Sequence, residues 1–316
     1  MNFLKLPVLL PRATKFILKR YASCFQPIVC ESTTRPIVVT ITGANTGSAK
    51  IVALLLKQSP LIDELRLFDY DNGPCGTALD LSHIDTSTKV KPYSGLSMLK
   101  EAVEGSKIVV VCGGEATKAA HPEYELFRYN ADYVRNIAIY TSEFSPESVL
   151  CIATPPITAM VPLASEEYKK AQVYDSRKII GVTTLSMIRA NTFIAAHGGQ
   201  HPERIMCPTI GGMGYKTTVA VVSQTDIGAK LASPVADVLR NRIANAENHV
   251  LQVQYIENAG ACCITNGFAT ARFITSVVKG LLDIFDGFEC GFVRQTGEAA
   301  DFLSYMGSVI KLGCFF

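Results

Sequence analysis

The chain has 316 residues, 48% hydrophobic and 18% charged, which is long enough for two lobes on a large core and too apolar for a disordered chain. Its net charge is +2, but residues 1–35 contribute +5, from six Lys and Arg against one Glu, so the remainder carries −3. Such a body has no electrostatic footprint for nucleic acid, and no apolar run is long enough for membrane insertion.

The basic segment, residues 1–35, resembles an organellar transit peptide. It is apolar and cationic, with no acidic residue before Glu31, and Lys5 and Pro7 interrupt the apolar stretch that a secretory signal needs. We predict a mitochondrial matrix address, and a disordered basic tail is the alternative. The ten cysteines show no CxxC or Cys/His spacing, so they are predicted to be buried, reduced thiols, and no metal site is expected.

From Pro36 the chain alternates apolar runs with helical stretches. The runs predicted to be strands are Ile37–Thr42, Leu65–Phe68, Ile108–Cys112 and Val149–Ala153. Because strand–helix alternation requires a parallel sheet covered on both faces, the pattern predicts an α/β fold with a Rossmann-type doubly wound parallel sheet. This predicted dinucleotide-binding-type domain covers residues 36–181.

After Gly181 the pattern favours longer helices and fewer strands. Ser233-Pro234 predicts a helix start with Ser as N-cap, and the apolar stripe continues through Val250, which indicates one long helix. A second helix is predicted at Gly267–Leu282 and a strand at Met306–Leu312. We predict a second α+β lobe, residues 182–316.

A glycine loop, Gly43-Ala-Asn-Thr-Gly47, joins the first strand to the first helix. That setting suits a dinucleotide, because the helix N-terminus can receive pyrophosphate, and Asp69 at the end of the second strand could bind both adenosine ribose hydroxyls, which favours NAD. Thr46 replaces the second glycine of the fingerprint, and its side chain could crowd the phosphates. The alternative is an ordinary turn that binds nothing.

Tyr174 and Lys178 have the Tyr-x-x-x-Lys spacing of short-chain dehydrogenases. In that family both residues lie on a helix, whereas Asp175-Ser176 predicts a turn here. The motif therefore lacks its structural setting.

Longer motifs resemble the malate/lactate dehydrogenase family, most closely the mitochondrial-type malate dehydrogenases. They lie in the family's order over about residues 36–312, and they are Gly76–Ile84, Leu126–Ala131, Ile180–Leu185 with Arg189–Phe193, Ile210–Gly212 and Ala271–Phe273. The first resembles the helix of the family's dimer contact, and the second the helix that follows its mobile active-site loop. The resemblance implies a homodimer that uses NAD.

The same resemblance places the family's catalytic positions. The general base follows Ile-Gly-Gly, which makes it Met213, and a thioether cannot hold a proton near neutral pH. The position of the acid that orients this base is Ser186. One substrate arginine is retained as Arg189.

Three further positions of the family's substrate site have changed. The two arginines of the mobile loop correspond to Thr117 and Glu123, and the asparagine before Pro155 is Thr154. Each lost arginine–carboxylate contact removes about 1.5–3 kcal/mol of binding, and Glu123 adds a negative charge. Of the histidines, only His121 on the mobile loop has a path to the site, and a solvated loop residue is the simpler interpretation.

These observations predict a catalytically inactive, malate-dehydrogenase-like protein with a scaffold, regulatory or NAD-responsive binding role. One alternative is an NAD-dependent malate dehydrogenase or related 2-hydroxy acid oxidoreductase with a diverged site. Another is a structural subunit of a mitochondrial assembly. The resemblance implies a long terminal helix after Met306–Leu312, which the sequence up to Phe316 does not contain. We therefore expect either a homodimer or a protein partner that covers the truncated C-terminal face, or a sequence that is incomplete.

Overall fold

The computed structural model describes residues 26–29, 36–71, 73–117, 122–256, 263–284 and 287–313, and for 26–29 and 254–256 the backbone alone. The strands are β1 (Gln26–Val29), β2 (Val38–Thr42), β3 (Glu64–Asp69), β4 (Lys89–Ser94), β5 (Ile108–Val111), β6 (Val149–Ile152), β7 (Ile179–Val182), β8 (Thr209–Gly211), β9 (Thr218–Ala220), β10 (Gly287–Arg294) and β11 (Tyr305–Gly313). β1 lies inside the predicted transit segment and pairs with β11; the rest of that segment lies outside the described residues.

These strands form one continuous sheet. Its order is β4-β3-β2-β5-β6-β7-β10-β11-β8-β9, and the strands from β4 to β7 are parallel while those from β10 to β9 pair in antiparallel fashion. The predicted doubly wound α/β fold with a second α+β lobe is therefore confirmed. β2, β5 and β6 are buried along their whole length, which explains why the sequences of β5 and β6 are continuously apolar. In β2 the hydroxyls of the buried Thr40 and Thr42 donate to backbone carbonyls.

The helices lie between and beyond these strands. They are α1 (Gly47–Lys57), α2 (Gly73–Ser82), α3 (Leu99–Val103), α4 (Glu123–Phe144), α5 (Ile157–Lys170), α6 (Thr184–Gly198), α7 (Ser233–Ala244), α8 (Ala246–Ile256) and α9 (Cys263–Leu281). α9 belongs to the second lobe but packs on α1. A Cβ added to Gly267 would lie only 2.7 Å from Ile51, so glycine is what permits this close approach.

The prediction of one long helix that starts with Ser233 as N-cap is wrong in two details. The N-cap is Ala232 and not Ser233, with Pro234 in the first turn. The chain also breaks at Asn245, whose backbone N–H and side-chain amide both donate to the carbonyl of Asn241. Because Asn readily replaces helical hydrogen bonds with local ones, α7 and α8 are separate helices.

Two apolar layers cover the two faces of the parallel sheet. One contains Leu56 and Phe273, from α1 and α9, and the other contains Val134 and Met160, from α4 and α5. Of the six cysteines in the described parts, four are buried as predicted, but Cys75 is exposed and Cys263 half-buried. No helix of the described residues is long and apolar enough to span a membrane, and no cluster of metal-binding side chains occurs among them.

Candidate active site

The positions of the family's base and orienting acid come together in the second lobe. Ser186 lies in the first turn of α6, and Met213 lies two residues beyond the end of β8. The Ser186 hydroxyl points at the Met213 thioether, with Oγ and Sδ 3.9 Å apart, and Met213 packs against an apolar cluster. Neither group takes up a proton near neutral pH, so this pair cannot accept the proton of a hydroxy acid.

Arg189 lies one turn further along α6 and is paired within the chain. Its Nη1 is 3.5 Å from Oε2 of Glu247 on α8, and the two side chains are 13% and 33% exposed. Its Nη2 is buried without a hydrogen-bond partner among the described residues. The guanidinium that is predicted to bind a substrate carboxylate therefore faces a carboxylate of the protein itself.

Glu123 is the first residue of α4 and lies beside the loop that contains Met213. Its Oε1 is 3.5 Å from the position that a Cβ on Gly214 would take. It lines a cavity of about 600 Å³ with Lys216, Phe292 and Tyr305, among others. A carboxylate is favourable at a helix N-terminus, but here it brings negative charge to the side of the cleft where the family places an arginine. Thr117 is half-buried, and Lys118 and His121, which follow it in the predicted active-site loop, lie outside the described residues.

Thr154 and Asn130 hold the backbone around the cleft. Thr154 is 1% exposed, and its hydroxyl is 2.7 Å from the carbonyl oxygen of Gly113, so it points at the end of β5. The buried Asn130 amide donates to the carbonyls of Glu115, at 2.8 Å, and Pro155, at 2.6 Å, and its Oδ1 accepts from the Glu115 N–H. Asn130 belongs to a motif of the sequence, but only the tertiary structure shows that it anchors the start of the loop.

The glycine loop has the geometry of a phosphate-binding turn. Gly43 has φ +75°, and a Cβ there would lie 2.1 Å from the Cα of Gly113. Thr46 is the N-cap of α1: its Oγ1 accepts from the Ala49 N–H and lies 2.9 Å from the carbonyl oxygen of Gly43. The Thr46 hydroxyl points inward, so this geometry does not favour the expected crowding of the phosphates. The N-terminus of α1, with the exposed Gly47, fits a pyrophosphate.

Asp69 lies at the end of β3, on the same edge of the sheet as Gly43. Its Oδ2 accepts from the backbone N–H of Asn45 at 2.9 Å, and its Oδ1 accepts from that of Tyr70 at 2.8 Å. The carboxylate thus ties the glycine loop to the segment after β3.

An aromatic ring lies on the backbone after β5, beside Asp69. Cζ of Tyr133, on α4, lies 2.2 Å from the position that a Cβ on Gly113 would take. The ring also packs edge-to-face on Tyr70, with centroids 5.6 Å apart, next to Asp69. The glycine loop and the N-terminus of α1 therefore fit the pyrophosphate of a dinucleotide. Tyr133 and Tyr70, beside Asp69, do not fit its adenosine.

The four described histidines lie outside the first turn of α6 and the loop after β8, where the base and its orienting acid are predicted. His197 is in the last turn of α6, eleven residues beyond Ser186, which places it roughly 16 Å along the helix axis. His83 is in the turn after α2, His201 precedes a 3-10 turn, and His249 is on the exposed side of α8. The alternative Tyr174–Lys178 motif lies in a turn before β7 and not on a helix, as expected.

Comparisons with known proteins agree over almost the whole described chain. A model described as the lactate/malate dehydrogenase NAD binding domain matches residues 37–181, and one described as the alpha/beta C-terminal domain of the same enzymes matches residues 183–313. The chain is 36% identical to mitochondrial malate dehydrogenase of Felis catus over 81% of its own length and 75% of the relative. It is 34% identical to that of Homo sapiens over 84% and 78%.

Solved structures show the same fold. Malate dehydrogenase of Cryptosporidium parvum superposes with a TM-score of 0.76 at 20% identity, with 88% of each chain covered. Lactate dehydrogenase of Eimeria maxima, solved with NADH and oxamate, gives a TM-score of 0.75 at 17% identity, covering 89% of this chain and 85% of that one.

Proposed function

The chain belongs to the lactate/malate dehydrogenase family, and we propose that it is a member without hydride-transfer chemistry that acts as a scaffold or regulatory subunit. The observation that carries this proposal is the contact between Ser186 and Met213. A hydroxyl and a thioether occupy the positions of the orienting acid and the base, and removing such a pair costs on the order of 10⁴-fold in turnover.

The surroundings of this pair also disfavour a substrate. Binding of a dicarboxylate needs positive charge, but Arg189 already faces Glu247, and Lys216 shares its cavity with the carboxylate of Glu123. A substrate carboxylate at Arg189 would have to displace Glu247, and one in the cavity would meet the negative charge of Glu123. Because the positions of the base, the orienting acid and two of the substrate arginines have changed together, we propose loss of chemistry and not a change of substrate.

The second candidate is an NAD-dependent malate dehydrogenase or related 2-hydroxy acid oxidoreductase with a diverged site. The match to a family model described as an NAD binding domain and the retained Arg189 favour it. The two candidates differ in one measurement, oxidation of NADH by the purified full chain with a panel of 2-oxo acids, run beside human mitochondrial malate dehydrogenase. We expect a rate below about 10⁻⁴ of that of the relative. Substrate-dependent turnover of about one per second or faster would refute the inactive proposal.

We further propose that the protein is mitochondrial and works as a homodimer. The basic segment 1–35 and the mitochondrial relatives support the location. Leu79 is 63% exposed on α2, the helix that resembles the family's dimer contact, and this supports the dimer. Import into isolated mitochondria tests the location. A monomeric mass by light scattering would favour the alternative, a structural subunit that is completed by a different protein.

A further inference from the structure

The parallel sheet has one place where a nucleotide is expected to bind. From β2 the chain continues to β3 on one side, and it later returns to β5 on the other side of β2. In open α/β sheets, ligands bind outside the carboxyl ends of the strands where the order reverses in this way. Here that crevice lies beyond Thr42, Asp69 and Val111, the last residues of β2, β3 and β5.

Tyr133 fills this crevice from the side of α4. Three atoms of the side chain, Cζ, Oη and Cε1, lie 2.2–2.6 Å from the position that a Cβ on Gly113 would take, so the ring lies directly on the backbone after β5. Its hydroxyl is buried beside Thr42, at the end of β2. The pKa of this hydroxyl is raised well above its usual value, mainly by burial, which fits a closed space.

One neighbour packs on the ring, and another closes the segment beyond Asp69. Tyr70, directly after β3, packs edge-to-face on Tyr133 and on Phe68, with ring centroids 5.6 and 5.5 Å apart. On the other side of Asp69, the Asn45 side chain packs against Gly73 so tightly that a Cβ there would lie 1.9 Å from Oδ1. These contacts join the segments after β2, β3 and β5, which a bound adenosine would have to separate.

We propose that Tyr133, supported by Tyr70, occupies the adenosine half of the dinucleotide crevice and prevents NAD and NADH from binding in the manner of the family. The inference is independent of the proposed function, because an inactive protein can still bind a dinucleotide. It also places the obstruction at the adenosine end and not at Thr46, which points away from the phosphates. The Tyr133 ring does not obstruct the cleft near Met213.

Binding of NADH to the full chain, measured by calorimetry, tests this proposal. Wild type should bind NADH only weakly, with a dissociation constant near or above about 1 mM. Tyr133→Ala and Tyr133→Ile should each tighten binding by about tenfold or more, Ile being included because it keeps an apolar side chain if Ala fails to fold. Tyr133→Phe keeps the ring and should leave binding weak. Tyr129→Ala, on an exposed residue of the same helix, is the matched control.

Other outcomes would overturn the proposal. Micromolar binding of NADH to wild type would show that the ring leaves room for adenosine. Tighter binding by Thr46→Gly, with no effect of either Tyr133 variant, would place the obstruction in the glycine loop. Binding by nicotinamide mononucleotide, which lacks adenosine, should not change in the Tyr133 variants, and an equal gain there would contradict an adenosine-specific role.

Discussion

Arg189 and Glu247 form an ion pair between α6 and α8, with Nη1 and Oε2 3.5 Å apart. The two residues are separated by 58 positions in the chain, so the pair is a product of the tertiary fold. It places a carboxylate of the protein where the resemblance to the family predicts the carboxylate of a substrate.

Neutralising Glu247 should therefore release Arg189. We expect Glu247→Gln to bind malate about tenfold more tightly than wild type, because a charge-assisted contact to the guanidinium becomes available. Binding should stay in the millimolar range, since Thr117 and Glu123 still provide no positive charge. Calorimetry with malate measures this, and Glu203→Gln, on an exposed glutamate, is the control. Equal affinity in wild type and Glu247→Gln would show that the pair does not compete with a ligand.

Restoring the base and its orienting acid should restore their interaction but not malate turnover. Because Ser186 and Met213 already touch, the imidazole and carboxylate of the double variant Met213→His, Ser186→Asp should interact. A neighbouring carboxylate favours the charged imidazole, so we expect the pKa of the new imidazole to be higher in the double variant than in Met213→His alone. NMR titration measures this. Malate turnover should remain absent, and turnover of about one per second would mean that the lost arginines are dispensable.

Strands β2, β5 and β6 were predictable from sequence because they are buried on both faces. Runs such as Ile108–Cys112 are continuously apolar, and only a parallel sheet covered by helices accounts for several of them in alternation with helical patterns. The boundaries of β2, β3, β5 and β6 differ from the predictions by one residue at each end or less. The break at Asn245 was missed because the apolar stripe continues across it.

The site was predictable only where a motif carries it. Ser186 and Met213 were located by resemblance, and the structure brings them into contact. The sequence did not predict roles for Glu247 and Tyr133. Each lies on an amphipathic helix, where the pattern indicates a surface position for a glutamate and a core position for a tyrosine. Their importance depends on which elements meet across the fold, and no local spacing encodes that.

The packing of Tyr133 on Gly113 predicts a coupling between the two positions. Gly113→Ala should destabilise wild type by about 1–3 kcal/mol, because its Cβ would meet the ring at 2.2 Å. In the Tyr133→Ala background the same change should cost close to nothing. Urea unfolding of the four proteins gives the coupling energy, and Gly76→Ala, where nothing lies within 4 Å of the added Cβ, is the control. Equal costs in both backgrounds would show that the ring lies elsewhere.

Glu289 predicts a specific dependence of stability on pH. This side chain on β10 is 2% exposed; Ser276 donates to its Oε1, and the Arg272 Nε lies 3.4 Å from the same oxygen. Burial raises the pKa of Glu289, and the Arg272 guanidinium offsets only part of this. The folded state therefore binds the proton more tightly than the unfolded state does.

Its contribution to the free energy of unfolding is thus complete below the unfolded pKa of about 4.3 and is lost as the pH rises through the folded pKa. The free energy of unfolding of wild type minus that of Glu289→Gln should fall as the pH is raised above about 4, by at most about 1.4 kcal/mol per pH unit. Denaturant unfolding at several pH values measures the difference, with Glu298→Gln, on an exposed glutamate, as control. A difference that grows with pH would mean that attraction to Arg272 outweighs the cost of burial.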